Sequence, residues 1–212
     1  MGLTYDNITV KGSSQTEIAA FLNTHGWEAY VSPTVGDITA VYDNEGADIA
    51  LALSEHFGCV TLFAWVHDED YLFYKLYQKG ILLDAYCSEP RSYLYYVPFD
   101  SINSAKYVTP WLTTGNAAAL CQAFDVPDAL QDVDRVLKHQ TPDGDDDSAS
   151  DEGWIGSDYQ GHLFVALRLP GFSISDHLSY QSLPICIKFW SEKHNNSQSE
   201  SHFTATFMHT GR

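Results

Sequence analysis

ADIALALSEHFGCVTLFAWVHDEDYLFYKLYQKGILLDAYCSEP, residues 47–90, decides the fold of this chain. Ile49, Ala52, Leu53 and His56-Phe57 recur at helical spacing, so the segment opens with a helix that buries one side. Gly58 ends that helix. From Cys59 onward, β-branched and aromatic residues dominate, broken at His67-Asp68-Glu69-Asp70 and again at Lys79-Gly80, which predicts three consecutive antiparallel strands. Taking Lys79-Gly80 as a two-residue loop sets Gln78 against Ile81, Lys75 against Asp84 and Phe73 against Tyr86. Placing Asp68-Glu69 at the other tip sets Trp65 against Leu72 and Phe63 against Tyr74.

That register predicts one sheet face of Phe63, Trp65, Leu72, Tyr74, Leu76, Leu83 and Cys87. The opposite face holds Val60, Leu62, Ala64, Val66, Phe73, Tyr77, Leu82 and Tyr86. An antiparallel sheet with one wet face alternates apolar and polar residues. Both faces here are largely apolar, so both need a cover.

Working upstream, Tyr5 to Val10 alternates like a strand. Ser14 with Glu17 three residues later forms a capping box for a helix whose stripe is Ile18, Phe21 and Leu22, and Gly26 lies past its end. Trp27 to Val31 and Ile38 to Tyr42 are short strand candidates around a turn-rich link. The order β-α-β-β-α-β plus an added hairpin resembles a ferredoxin-like core within an α+β fold. Helices on one face and the C-terminal half on the other complete the expected architecture.

Downstream, Asn116 caps a helix from Ala117 to Phe124. Pro127 opens a second helix with Leu130, Val133, Val136 and Leu137 on one side, giving a helix pair over 116–139. TPDGDDDSASDEG, residues 141–153, reads as a mobile acidic loop. His162 to Leu169 and Leu183 to Trp190 are the last strand candidates, within 162–190. The expected division is one domain over 1–190, with its core in 1–90, and a polar tail over 191–212.

Composition narrows the class. The chain has 212 residues, 44% of them apolar and 14% aromatic, enough to bury a core without staples. No run reaches the roughly 18 apolar residues of a membrane span. MGLTYDNITV lacks the basic and apolar regions of a secretory leader, which makes the cytoplasm the expected location. Cys59, Cys87, Cys121 and Cys186 are scattered without metal-finger spacing and read as buried reduced thiols.

The formal net charge is −17, unevenly spread. Residues 1–90 carry 13 acidic and 3 basic side chains, and residues 125–152 carry 10 and 2. Phosphate backbones are bound by Lys and Arg, of which there are 11, so nucleic acid and anionic membranes are not expected partners. A basic protein partner or self-association fits the charge better.

Motifs of chemistry are sparse. Asp143, Asp145 and Asp147 match the first ligands of an EF-hand loop, but Ser148 stands for the required Gly and Trp154 for the closing Glu. His67, Asp68 and Asp70 form a candidate metal cluster, set against their plain role as hairpin-tip residues. His56 reads as packed or half-exposed. Nucleophile elbows, phosphate loops and paired zinc histidines are missing, and neither a cofactor nor a catalytic residue is expected. Tyr93, Tyr95, Tyr96 and Trp111 are the candidate binding residues, because aromatic side chains on an irregular segment give large contact area at low entropic cost. Their alternative role is to cover the second face of the meander.

YDNITV, YVSPTVGDITAVYD and LSEHFGCVTLFAWVHDEDYLFYKLYQKGILLDAYCSEP resemble a group of uncharacterised bacterial cytoplasmic proteins, over residues 3–90 and more weakly over 116–139. The resemblance implies a bacterial origin and a single α+β domain, and brings no activity. The expectation is therefore a non-enzymatic acidic interaction protein. The alternative is a small enzyme or ligand binder with a cleft between the sheet and the C-terminal half.

Overall fold

The chain from Tyr5 to Cys87 forms six strands and two helices in the order β1 (Tyr5–Lys11), α1 (Gln15–His25), β2 (Ala29–Val31), β3 (Ile38–Tyr42), α2 (Ala47–Phe57), β4 (Val60–His67), β5 (Tyr71–Gln78) and β6 (Ile81–Cys87). The structure is a computed structural model that describes residues 4–42, 46–68, 70–89, 114–138, 156–171 and 187–189. After the sheet come α3 (Ala117–Ala123), a 3₁₀ turn (Pro127–Ala129), α4 (Leu130–Leu137), α5 (Gly156–Ala166) and the short β7 (Ile187–Phe189). The fold is α+β. Its open sheet has the order β6-β5-β4-β1-β3-β2-β7, with every neighbouring pair antiparallel.

Local chemistry explains the helix boundaries. The Glu17 N–H donates to Ser14 Oγ at 3.4 Å, and the Ser14 N–H donates to Glu17 Oε2 at 2.9 Å. This reciprocal pair satisfies two orphan donors at the start of α1. Gly26 and Gly58 end α1 and α2 in the left-handed conformation, with φ of 70° and 63°. Asn116 Oδ1 accepts from the Ala119 N–H at 3.0 Å and caps α3.

The meander register differs from the sequence-based expectation at both turns. Gln78 does oppose Ile81. At the first hairpin, however, His67 opposes Tyr71, so the loop is three residues long, with Asp68 at φ 49° and the Asp70 N–H donating to the His67 carbonyl. Asp tolerates this left-handed conformation better than most residues, and it lengthens the turn by one. Trp65 therefore opposes Phe73, and Phe63 opposes Lys75, rather than Leu72 and Tyr74. At the second hairpin a bulge places Leu83 opposite no residue of β5. Beyond it, Lys75 faces Ala85, Leu76 faces Asp84, and Tyr74 rather than Phe73 faces Tyr86. One inserted residue exchanges the two faces of a strand.

The corrected faces build two cores. On one, Leu62, Ala64, Leu72, Tyr74, Leu76 and Tyr86 join Leu120, Val133, Leu137, Leu163 and Phe164 from α3, α4 and α5. On the other, Ile8, Val10, Phe63, Tyr71, Phe73 and Cys87 join Ile18, Leu22, Ile49 and Leu53 from α1 and α2.

Two further expectations are corrected. His162 to Ala166 is helix, because Tyr159, Leu163, Phe164 and Leu167 are buried at the spacing of one helical face, while Val165 is 65% exposed. Leu130 is exposed, and only Val133, Val136 and Leu137 of its expected stripe are buried. Among the described residues, no helix is long and apolar enough to cross a membrane.

Candidate functional site

Asp84 is the one acidic side chain among the described residues that is buried. The bulge at Leu83 turns it into the core beneath α3, where its Oδ2 accepts from Tyr74 Oη at 2.7 Å and from the Asn116 N–H at 2.8 Å. Burial pushes its carboxyl above the ordinary value of 3.8, against the opposing pull of those hydrogen bonds. Burial first, and the Asp84 charge second, push the Tyr74 phenol well up. Tyr86 stacks on Tyr74 with ring centroids 5.3 Å apart and donates to the Leu137 carbonyl at 3.3 Å. Every donor here is spent on an internal acceptor, so the cluster ties the meander to α3 and α4. Nothing in it is poised to transfer a proton.

The hairpin tip is built differently. His67 lies in a group of rings, 5.0 Å from Trp65 and 5.4 Å from Tyr71 between centroids. The Asp68 N–H donates to Thr4 Oγ1 at 2.9 Å, which ties the tip to the start of β1. Among the described residues, no three His, Cys, Asp or Glu side chains are placed to hold a metal ion, so His67, Asp68 and Asp70 are not gathered into such a site. Cys59, Cys87 and Cys121 are free and buried, and burial pushes the Cys87 thiol up to about 12. A thiol held protonated is a poor nucleophile.

A third cluster lies where α1 and α2 end side by side. The Phe21 ring sits 4.2 Å from His25, 5.8 Å from Trp27, 4.6 Å from His56 and 5.6 Å from Phe57. His25 also stacks on Trp27 at 5.1 Å with a 17° interplanar angle. His25 Nδ1 donates to the Phe21 carbonyl at 2.8 Å, which leaves Nε2 as the acceptor of the neutral ring. Phe21 is 7% exposed, whereas His25 and His56 are exposed and Trp27 and Phe57 half-buried. Glu28 and Glu55 are both exposed, and Glu55 packs against the turn at Gly80.

Charge separates the two helical layers. No Lys or Arg occurs between Lys11 and Lys75, a stretch that carries ten Asp and Glu and includes α1 and α2. Among the described residues, the cations that face the opposite layer or lie in it are paired: Lys11 of β1 with Asp125, Arg135 with Asp132 at 3.4 Å, Lys138 with Asp134 at 2.6 Å, and Arg168 with Asp128. No protein-family model, curated protein or solved structure matches this chain.

The candidate binding residues Tyr93, Tyr95, Tyr96 and Trp111, the acidic loop 141–153 and Cys186 lie outside the described residues. Sequence reasoning passed over the ring cluster. Its signal was present in the two helix ends, His25-Gly26-Trp27 and His56-Phe57-Gly58, each pairing a His with an aromatic residue around a terminating Gly. What the sequence does not reveal is that Phe21 joins them.

Proposed function

We propose that this protein works by binding a basic protein, and that its acidic surface guides the encounter. The observation that carries the reading is the distribution of charge: ten acidic side chains and no Lys or Arg between Lys11 and Lys75, with the cations Lys11, Arg135, Lys138 and Arg168 occupied by Asp partners. Such a surface accelerates association with an oppositely charged partner and repels like-charged ones. A site for small-molecule chemistry finds less support. The layer between the sheet and α3–α5 is filled by Leu62, Leu76, Leu120, Leu163 and Phe164, each 0% exposed. The reading of the core as ferredoxin-like with an added hairpin belongs to the same proposal and draws on the β4-β1-β3-β2 order within the sheet. Fold likeness of this kind carries no function of its own. Bacterial origin and a cytoplasmic location are likewise part of the proposal.

The test is affinity capture at low ionic strength followed by stopped-flow association with the captured protein. The rate should fall steeply as salt rises towards about 0.15 M, where the screening length shortens to about 8 Å. A captured partner whose association rate ignores salt, or turnover in a substrate screen without any basic partner, overturns the reading.

A further inference from the structure

Among the described residues β6 is the outermost strand at its end of the sheet, and it starts with three apolar residues that stay exposed: Ile81 at 64%, Leu82 at 42% and Leu83 at 41%. Natural edge strands are guarded by charge, proline or a cover, because an apolar edge pairs with other chains. α2 packs against β5 and β6 and extends this patch. Asp48, Leu51 and Glu55 follow one another at helical spacing along one stripe of α2. Both ends of that stripe are placed over the β5–β6 hairpin. Asp48 acts on Lys75 and Tyr77 of β5: burial lowers the Lys75 pKa and Asp48 opposes the fall, while burial raises the Tyr77 phenol and Asp48 adds to the rise. Glu55 packs on the turn, its Cβ 3.1 Å from where a Cβ at Gly80 would lie. Leu51 therefore falls between them, at the level of Tyr77, which Leu82 opposes. Four of the seven large apolar side chains exposed among the described residues are gathered here: Leu51, Ile81, Leu82 and Leu83.

We infer that this patch is an interface between two copies of the chain, joined antiparallel along β6 about a two-fold axis. Charge supports this occupant. One end of the patch carries Asp48 with Lys75, and the other carries Glu55 with Lys79 of the turn. None of the four takes part in an ion pair among the described residues. An interface built on a two-fold axis meets itself, so it has to be self-complementary. The axis exchanges the two ends, which sets Lys79 against the partner subunit's Asp48 and Glu55 against the partner subunit's Lys75. A basic protein gains nothing at a patch that carries two lysines and whose four charges cancel. Exposed ion pairs contribute little, so the apolar contact supplies the attraction and the pairs fix the orientation. The net charge of −17 opposes the approach of two copies, and salt screens that repulsion. The inference goes beyond the basic-partner reading and does not rest on it.

Sedimentation equilibrium of the full chain tests it. The wild type should be dimeric at concentrations on the order of 10–100 μM. The dimer should tighten as salt rises from about 0.15 M to about 1 M, because screening removes the repulsion between the acidic surfaces. Association with a basic partner moves the other way, so the two readings fail separately. Leu51→Glu and Leu82→Asp should each weaken the dimer by more than about tenfold, whereas Val165→Asp, at an exposed apolar residue of α5, should change it less than about twofold. The first two replace exposed side chains, and should one fail to fold, the other decides. Lys79→Glu should weaken the dimer by about two- to fivefold, and Asp48→Lys added to it should restore the loss. A wild type that stays monomeric throughout overturns the inference. So does a dimer that Leu51→Glu and Leu82→Asp leave intact, which places the interface elsewhere. A double variant no tighter than Lys79→Glu alone overturns the two-fold pairing, and the inference with it. A monomer that loses a basic partner on Leu82→Asp assigns the patch to that partner, and a monomer that loses thermal stability instead has the patch covered by its own chain. Either result overturns the inference.

Discussion

Tyr74 and Asp84, ten residues apart across the β5–β6 hairpin, share a buried 2.7 Å hydrogen bond that exists because Leu83 is bulged out of the ladder. Without that extra residue Asp84 would oppose Lys75 on the other face. The bulge trades a cross-strand ion pair for an anchor beneath α3.

Tyr74→Phe should destabilise the fold by about 1–3 kcal/mol, the cost of leaving a buried acceptor one donor short. The Asn116 N–H remains to satisfy Asp84 in part. Urea denaturation measures the loss, and an unchanged midpoint would show that the carboxylate finds another donor.

The same carboxylate makes stability depend on pH. Its folded pKa is raised, with burial as the main cause, so its favourable contribution is complete below the ordinary value of 3.8 and is lost as pH rises through the folded value. Glu17 and Asp128 are shifted the opposite way by their hydrogen bonds, which obscures the effect in the wild type alone. Comparing wild type with Asp84→Asn removes their contribution. The stability difference should move in favour of the wild type on acidification from neutral pH, and a constant difference would contradict the assignment.

Gly115 sits at φ 60°, and a Cβ there would lie 2.9 Å from Tyr74 Oη, 3.0 Å from Leu137 Cδ1 and 3.1 Å from Tyr86 Cδ2. Both the backbone conformation and the space call for glycine. Gly115→Ala should cost roughly 1–3 kcal/mol and lower the melting temperature. A neutral result would mean that the segment entering α3 shifts freely.

The helix at 156–166 is tested by two neighbours. Leu163 is 0% exposed and Val165 is 65% exposed. Leu163→Ala should cost about 2–5 kcal/mol and Val165→Ala less than about 0.5 kcal/mol. A strand would put both residues on one face and give them similar costs.

Thr9 is 0% exposed, and its Oγ1 has no hydrogen-bond partner among the described residues. Thr9→Val, which keeps the shape and removes the hydroxyl, should therefore be neutral or stabilise the central strand by about 1 kcal/mol. A clear loss in chemical denaturation would show that the hydroxyl is bonded through water.

Element types along the first 87 residues were legible because capping and period act locally. Ser14 with Glu17, Gly26 and Gly58 mark helix ends by their own backbone chemistry, and the Lys79-Gly80 loop holds the pairing of Gln78 with Ile81. Register was not legible, because two single residues decide it. Asp68 lengthens one turn by adopting φ 49°, and Leu83 is inserted opposite nothing. Neither leaves a mark in an apolar pattern that runs along both faces. His162 to Ala166 misled because Gly161 interrupts the helical signal, leaving a short apolar run that suits either state. The ring cluster needed tertiary contact: Phe21 lies on α1, while His56 and Phe57 lie on α2.

β1 is the strand on which synthesis and folding fall out of step. It precedes the other strands in the chain and lies in the middle of the sheet, between β4 and β3. Yet Tyr5 Oη donates to Gln160, 155 residues later, and Lys11 waits 114 residues for Asp125. Contacts of such long range are slow to form, and unpaired sheet surface exposed meanwhile invites association with other chains. The nascent protein must therefore carry one apolar sheet face only partly covered until α5 has emerged. A chain cut short before residue 156 lacks the part of that cover that α5 supplies, and truncation should make the protein more prone to aggregate.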